Sequence, residues 1–227
     1  MFKKIEALTS SAHQDLRFTT INSFEFARNM QHSPLGVSEL AMASRFYPIL
    51  FPKKDTTPMA LLSLDQNNNH YVNTDGSWKV PYIPAHFRRY PFILANADEE
   101  KPDRFVVCID REAPHFAADL GDPMFTADGT PADFTQHTID FLQKFQEEMG
   151  ITKTICQELE QHGVLANKTI NIEKKGKKST IGGFRCVDMK KLVTLDDTTL
   201  AGWVKNGLMG IVYTHLQSLD NVKVLAA

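Results

Sequence analysis

Cysteine is scarce in this chain, and the three present, Cys108, Cys156 and Cys186, are odd in number and far apart, with no C-x-x-C pair. That excludes a disulfide framework and the common zinc and thiol-redox motifs, and it fits a reducing compartment. Charge bias is missing too: 25 Lys and Arg stand against 27 Asp and Glu, with a pI near 6.4. Such a chain has no global field to recruit nucleic acid or an anionic membrane surface, so neither is an expected partner. No apolar run approaches the ~20 residues of a membrane span. After Lys3 and Lys4 the apolar residues are too few for the core of a secretory signal. A cytoplasmic product is therefore expected, with signal-independent export to the cell surface as the other route. The Walker loop and the G-x-G-x-x-G, G-x-S-x-G and H-E-x-x-H signatures are also absent, and no cofactor or metal is expected.

What is present is an ordinary globular composition, 42% hydrophobic and 23% charged. At 227 residues one core is feasible, and the chain reads as one domain over 1–227. Alternation predicts strands at Leu16–Ile21 and Phe24–Ala27, and Ser38 opens a short helix over 38–46 that Pro48 ends. Met59–Leu64 and His70–Asn73 flank an Asn-rich turn and read as a hairpin. The polar segment 97–103 reads as a loop. The apolar run 104–110 reads as a strand central in its sheet, with Cys108 as a buried core thiol. Thr130, Pro131 and Asp133 form a helix start, Gly150 interrupts that helix, and a second runs from Thr152 to His162. Residues 168–173 and 181–187 form a hairpin turned by Lys174–Lys178, and helices follow from Asp196 and from Leu208, separated by Gly207. Strands dominate 1–110 and helices 111–227. This order predicts an α+β fold, a largely antiparallel sheet packed with C-terminal helices.

The densest stretch is 78–92, where Trp78, Tyr82, His86, Phe87, Tyr90 and Phe92 share a short span with Arg88, Arg89 and three prolines. Fixed proline φ angles and large rings make it a rigid connector. Two readings stand. Trp78, Tyr82, His86, Arg88, Arg89 and Tyr90 can form a groove wall, because guanidinium forks take carboxylates and phosphates while the rings stack on a ligand. Alternatively Trp78, Ile83, Phe87 and Phe92 fill the core and the arginines bridge carboxylates at its edge.

Other clusters are weaker. His13-Gln14-Asp15 has the His-x-Asp spacing of iron oxygenases but lies before any strand that could hold it, so a surface turn is preferred. His115 and Asp119 share metal-ligand spacing on a helix, near Asp110, Glu112 and Asp122, though acidic loops are more often solvated. The basic run Lys174–Lys178 serves solubility as readily as phosphate binding.

Taken together, several of these segments resemble the bacterial SapC family. They are Pro34-Leu35 with Glu39, Tyr47–Phe51, Asn73–Trp78, Tyr82-Ile83-Pro84 and Arg88–Phe92. Gly183-Phe184, Val187-Asp188, Lys191-Leu192 and Tyr213–Leu216 with Ser218-Leu219 extend the likeness to residues 34–225. The resemblance implies a link to bacterial surface layers and supplies no catalytic residues. Three functions follow as expectations: a binding or accessory protein for a peptide, protein or small anionic ligand; an enzyme or enzyme partner using Arg88, Arg89, His86 and Tyr82; and a structural surface-layer component. Nothing in the residues specifies an oligomeric state.

Overall fold

The computed structural model describes residues 1–97, 105–117, 119–174 and 177–226. Its first half is a series of short elements, because prolines and polar turns interrupt the chain every few residues. These are β1 (Ile5–Ala7), α1 (Ser10–His13), β2 (Arg17–Phe18), β3 (His32–Pro34), α2 (Leu40–Ala43), β4 (Ile49–Pro52) and β5 (Met59–Leu61). Next come α3 (Ala85–Arg88), β6 (Phe92–Asn96), β7 (Phe105–Asp110), β8 (Phe116–Ala117) and β9 (Asp122–Pro123). Longer elements follow: α4 (Asp133–Gln161), β10 (Leu165–Lys174) and β11 (Lys177–Val187). The chain closes with α5 (Met189–Leu192), α6 (Asp197–Lys205), α7 (Leu208–Ser218) and α8 (Val222–Ala226).

The architecture is α+β with antiparallel pairing throughout, divided among three sheets in the orders β1-β7-β6, β10-β11-β4-β5-β3 and β8-β2-β9. As its apolar run predicts, β7 is central in its sheet, and the long C-terminal hairpin joins the five-stranded sheet rather than standing apart. Among the described residues no helix is long and apolar enough to cross a membrane. All three cysteines are buried and unpaired.

Three apolar clusters hold these layers. One gathers Tyr47, Leu50, Leu62, Tyr71, Phe87 and Phe184. A second joins Phe51, Cys156, Leu159, Trp203 and Val212. The third, around Phe18, Phe92, Ile109, Met124 and Leu142, lies under the β1-β7-β6 sheet. Helix α4 contributes Leu142 to the third cluster and Cys156 and Leu159 to the second.

Strands β4 and β11 pair only at Phe51 and Pro52. Beyond that point the buried His215 of α7 bridges them, its Nε2 accepting from the Val187 amide at 3.1 Å and its Nδ1 donating to the Ile49 carbonyl at 2.8 Å. An imidazole thus stands in for sheet hydrogen bonds, which a buried backbone requires from some partner. Burial pushes the His215 pKa down to about 4, so the ring is neutral at pH 7 and Nε2 is free to accept.

Several expectations are corrected. Of 16–21 only Arg17–Phe18 is strand, and Glu25–Ala27 is a single 3-10 turn, where Arg28 donates to Glu25 and to the Asn73 carbonyl. The expected hairpin of 59–64 with 70–73 does not form: β5 pairs with β3 and β4, while Val72 bridges Trp78. The helix expected over 38–46 is a 3-10 turn, Val37–Glu39, running into α2. Thr130 does not cap α4. Its hydroxyl bonds Asp128 at 3.0 Å within a turn, and the helix starts from Ala132, whose amide donates to Met124. Gly150 does not break α4, because Glu148 and Thr152 on either side accept the Ser38 and Val37 amides at 2.8 and 2.9 Å and hold the backbone helical there. Of the loop expected at 97–103, all but residue 97 lies outside the described residues, as do Lys175 and Gly176 of the basic run.

A candidate anion site walled by aromatic rings

The 78–92 stretch is anchored from behind. Glu39, 7% exposed, accepts from the Tyr82 hydroxyl and the Ala85 amide, both at 2.7 Å, and from the Gly36 amide at 3.0 Å. A buried carboxylate is tolerated when its lone pairs are matched in this way. It fixes Tyr82 and the first turn of α3 together. The Trp78 indole donates to the Tyr47 hydroxyl at 2.8 Å, which in turn donates to the Tyr82 carbonyl, and Trp78 packs on Phe24 and Phe87. Burial raises the pKa of the Tyr82 phenol, and its bond to Glu39 raises it further. Trp78 and Tyr82 thus sit in the packing that supports the stretch.

Past α3 the chain faces a different environment. The Tyr90–Pro91 peptide is cis, and β6 begins at Phe92. Tyr90 stacks on Phe26 with ring centroids 3.9 Å apart and donates to Asp110 at 3.1 Å. Asp110 is fully buried, which acts to raise its pKa, but the Lys3 and Lys4 amides and the Tyr90 hydroxyl outweigh burial and bring it below the usual carboxylate value. Asp110 is therefore committed to the N-terminal strand and to Tyr90, not to a metal.

Arg88 is exposed, donates from Nε to the Ile83 carbonyl at 3.0 Å and lies 5.5 Å from the Phe141 ring centre. Arg89 is half-buried between Phe145 and Phe2, at 5.1 and 5.9 Å, and approaches His86 Nδ1 at 3.4 Å. Its Nε is buried without a hydrogen-bond partner. Burial lowers the Arg89 pKa. Burial, then the adjacent Arg89 charge, push His86 down to about 3, so His86 is neutral at pH 7 and acts as an acceptor behind the guanidinium. Among the described residues neither arginine has a carboxylate partner.

Both arginines and Tyr90 line a cavity of about 370 Å³, which Trp78, Tyr82 and His86 do not reach. Its remaining walls come from β2, the 20–24 loop, the start of α4 and His115. Among the described residues no Asp or Glu lines it. His115 is 5% exposed, stacks on Phe18 at 5.6 Å, and leaves Nδ1 buried without a partner. Burial lowers its pKa. A second cavity, of about 460 Å³, gathers Lys53, Lys54, Lys153 and Arg185, but Asp55 and Glu160 share it. There Arg185 is already matched by Glu160 and by the Pro52 and Asp55 carbonyls. The first cavity holds cations with no acid beside them, the second does not.

The metal readings lose their premises. His115 and the exposed Asp119 do not share a helix, since β8 starts at Phe116. His13 is buried at the end of α1, bonded to Glu6 at 3.0 Å, rather than in a surface turn. Among the described residues no three His, Cys, Asp or Glu side chains come together as a metal site. Sequence reasoning did not find Phe18, Phe134, His137 and Phe141 as cavity residues, and weighed His115 only as a metal ligand. Phe134, His137 and Phe141 share one face of α4 at i, i+3 and i+7, but only the fold brings that face to Phe18, His115 and the arginines.

No curated protein and no solved structure matches the chain. The SapC family model does, over residues 8–225, beyond the 34–225 reached by the segments quoted above. With nearly its whole length matched, the chain belongs to the SapC family.

Proposed function

We propose that this SapC-family protein is a binding or accessory protein that holds a small anionic ligand, or the acidic end of a peptide, against Arg88 and Arg89. One observation supports this above others: among the described residues two guanidinium groups line the cavity and no carboxylate does. A guanidinium cannot shed its charge, so an unpaired one beside a cavity favours an anion that completes its hydrogen bonds. Trp78, Tyr82 and His86 are the supporting layer in this reading. The proposed compartment is the cytoplasm, supported by three buried, unpaired cysteines. Cell fractionation tests it, and recovery from the envelope alone would turn the case toward a surface-layer component.

Calorimetric titration with inorganic phosphate and acetate, against glycerol as a neutral control, tests the anion reading. Binding of either anion is expected, and Arg88→Ala with Arg89→Ala is expected to abolish it while leaving the circular dichroism spectrum unchanged. Equal response to glycerol would sink the reading.

An enzymatic reading has one observation behind it: His115, a residue of the cavity wall, has a buried Nδ1 with no partner of its own. Slow conversion of a bound probe, followed by NMR in the wild type and absent in His115→Gln, would decide for it.

A further inference from the structure

The apolar part of the same cavity narrows the ligand further. Its hydrophobic lining is almost entirely aromatic, with Ile21 as the one aliphatic exception among Val, Ile, Leu and Met. The rings are ordered into a row. Phe134 stacks on Phe18 at 4.3 Å and 18°, Phe18 stacks on His115 at 5.6 Å and 15°, and Tyr90 meets His115 edge-on at 5.5 Å. Because Phe18 turns its faces to Phe134 and His115, the row offers mainly ring edges to a ligand, and edge contacts add to simple burial only for a partner with a planar π face. Saturated rings of equal area gain the burial and not the geometry.

The charged part lies at the edge of this wall. Arg89 is half-buried, capped by Phe145 and Phe2, and its Nε has no acceptor. Arg88 stands exposed above Phe141 at the rim. A volume of about 370 Å³ is at the small end of ligand sites and fits a one- or two-ring molecule. We infer that the cavity binds a planar aromatic carboxylate, its ring on the Phe134–Phe18–His115–Tyr90 row and its carboxylate at Arg89 and Arg88. This rests on the anion-site reading above and adds the shape of the ligand to its charge.

Three probes separate the two claims: naphthoate is flat and anionic, naphthamide is flat and neutral, and decalin carboxylate is anionic and puckered. Titration calorimetry is expected to give naphthoate an affinity about tenfold above each of the others, the size of one charge-assisted contact or one well-placed stack. Arg89→Met should remove that advantage over naphthamide, and Phe134→Leu should remove it over decalin carboxylate. Arg88→Ala, at an exposed position, gives a second test of charge should Arg89→Met fail to fold. Equal binding of decalin carboxylate and naphthoate would overturn the aromatic inference and leave the anion site standing. Equal binding of naphthamide and naphthoate would overturn the anion site and this inference with it. No binding by any of the three would overturn this inference and leave the anion site to the phosphate and acetate titration.

Discussion

Two charged residues, one anchoring the 78–92 stretch and one on it, behave in opposite ways. Glu39 is buried with three matched donors, so its removal leaves the Tyr82 hydroxyl and two amides without an acceptor. Glu39→Ala is expected to cost about 3 kcal/mol in urea unfolding, within the range for breaking a buried charged network. Tyr82→Phe, which leaves two of the three bonds intact, should cost only about 1 kcal/mol. Among the described residues Arg89 has no carboxylate to lose. Replacing an unpaired, half-buried cation by an apolar side chain of similar shape removes a desolvation cost, so Arg89→Met should hold or raise the melting temperature. A clear drop in melting temperature would mean that Arg89 is part of the packing and not of a site.

At the scale of elements, two glycines of similar appearance in sequence have different structural roles. Gly150 lies exposed inside α4 with nothing within 4 Å of an added Cβ, so Gly150→Ala should stabilise by about 0.5–1 kcal/mol in thermal or urea melts. Gly183 has φ of 92° beside the register shift in the β10–β11 hairpin, so Gly183→Ala should destabilise by about 1 kcal/mol although its Cβ also meets open space. The same contrast explains what could be read from the residues alone. Alternation at 168–173, the Asp196 cap, which accepts from the Thr199 amide at 3.0 Å, and Gly207 at φ 86° act within a few residues, and those elements form as expected. The continuity of α4 depends on the Val37 and Ser38 amides more than a hundred positions away, and no local pattern carries that information. The cavity divides likewise: Arg88, Arg89 and Tyr90 are conspicuous as a run, whereas Phe18, His115 and Phe134 meet them only through the fold.

For the whole molecule, three histidines shifted by burial contribute to the response to acid. His215, His86 and His115 all have pKa values below the ordinary 6.5, chiefly from burial. The unfolded chain therefore binds protons at these sites before the folded one does. The contribution of these histidines is constant above about pH 6.5 and is lost below it, down to about pH 4 for His215 and about 3 for His86. The His215 share is on the order of 3 kcal/mol across that window, taking 1.36 kcal/mol per pKa unit. Urea midpoints measured from pH 7 to pH 4 should decline, and His215→Gln should be weaker at pH 7 yet decline less steeply. A flat profile would contradict the assigned burial. A last consequence belongs to α4, which inserts Leu142 into one apolar cluster and Cys156 and Leu159 into another. Anchored in both, the helix links the two clusters through its middle. We propose that the chain is one cooperative unit, in which amide exchange along Glu147–Lys153 follows global unfolding, and a separate early-opening half would show instead as two exchange rates divided at Gly150.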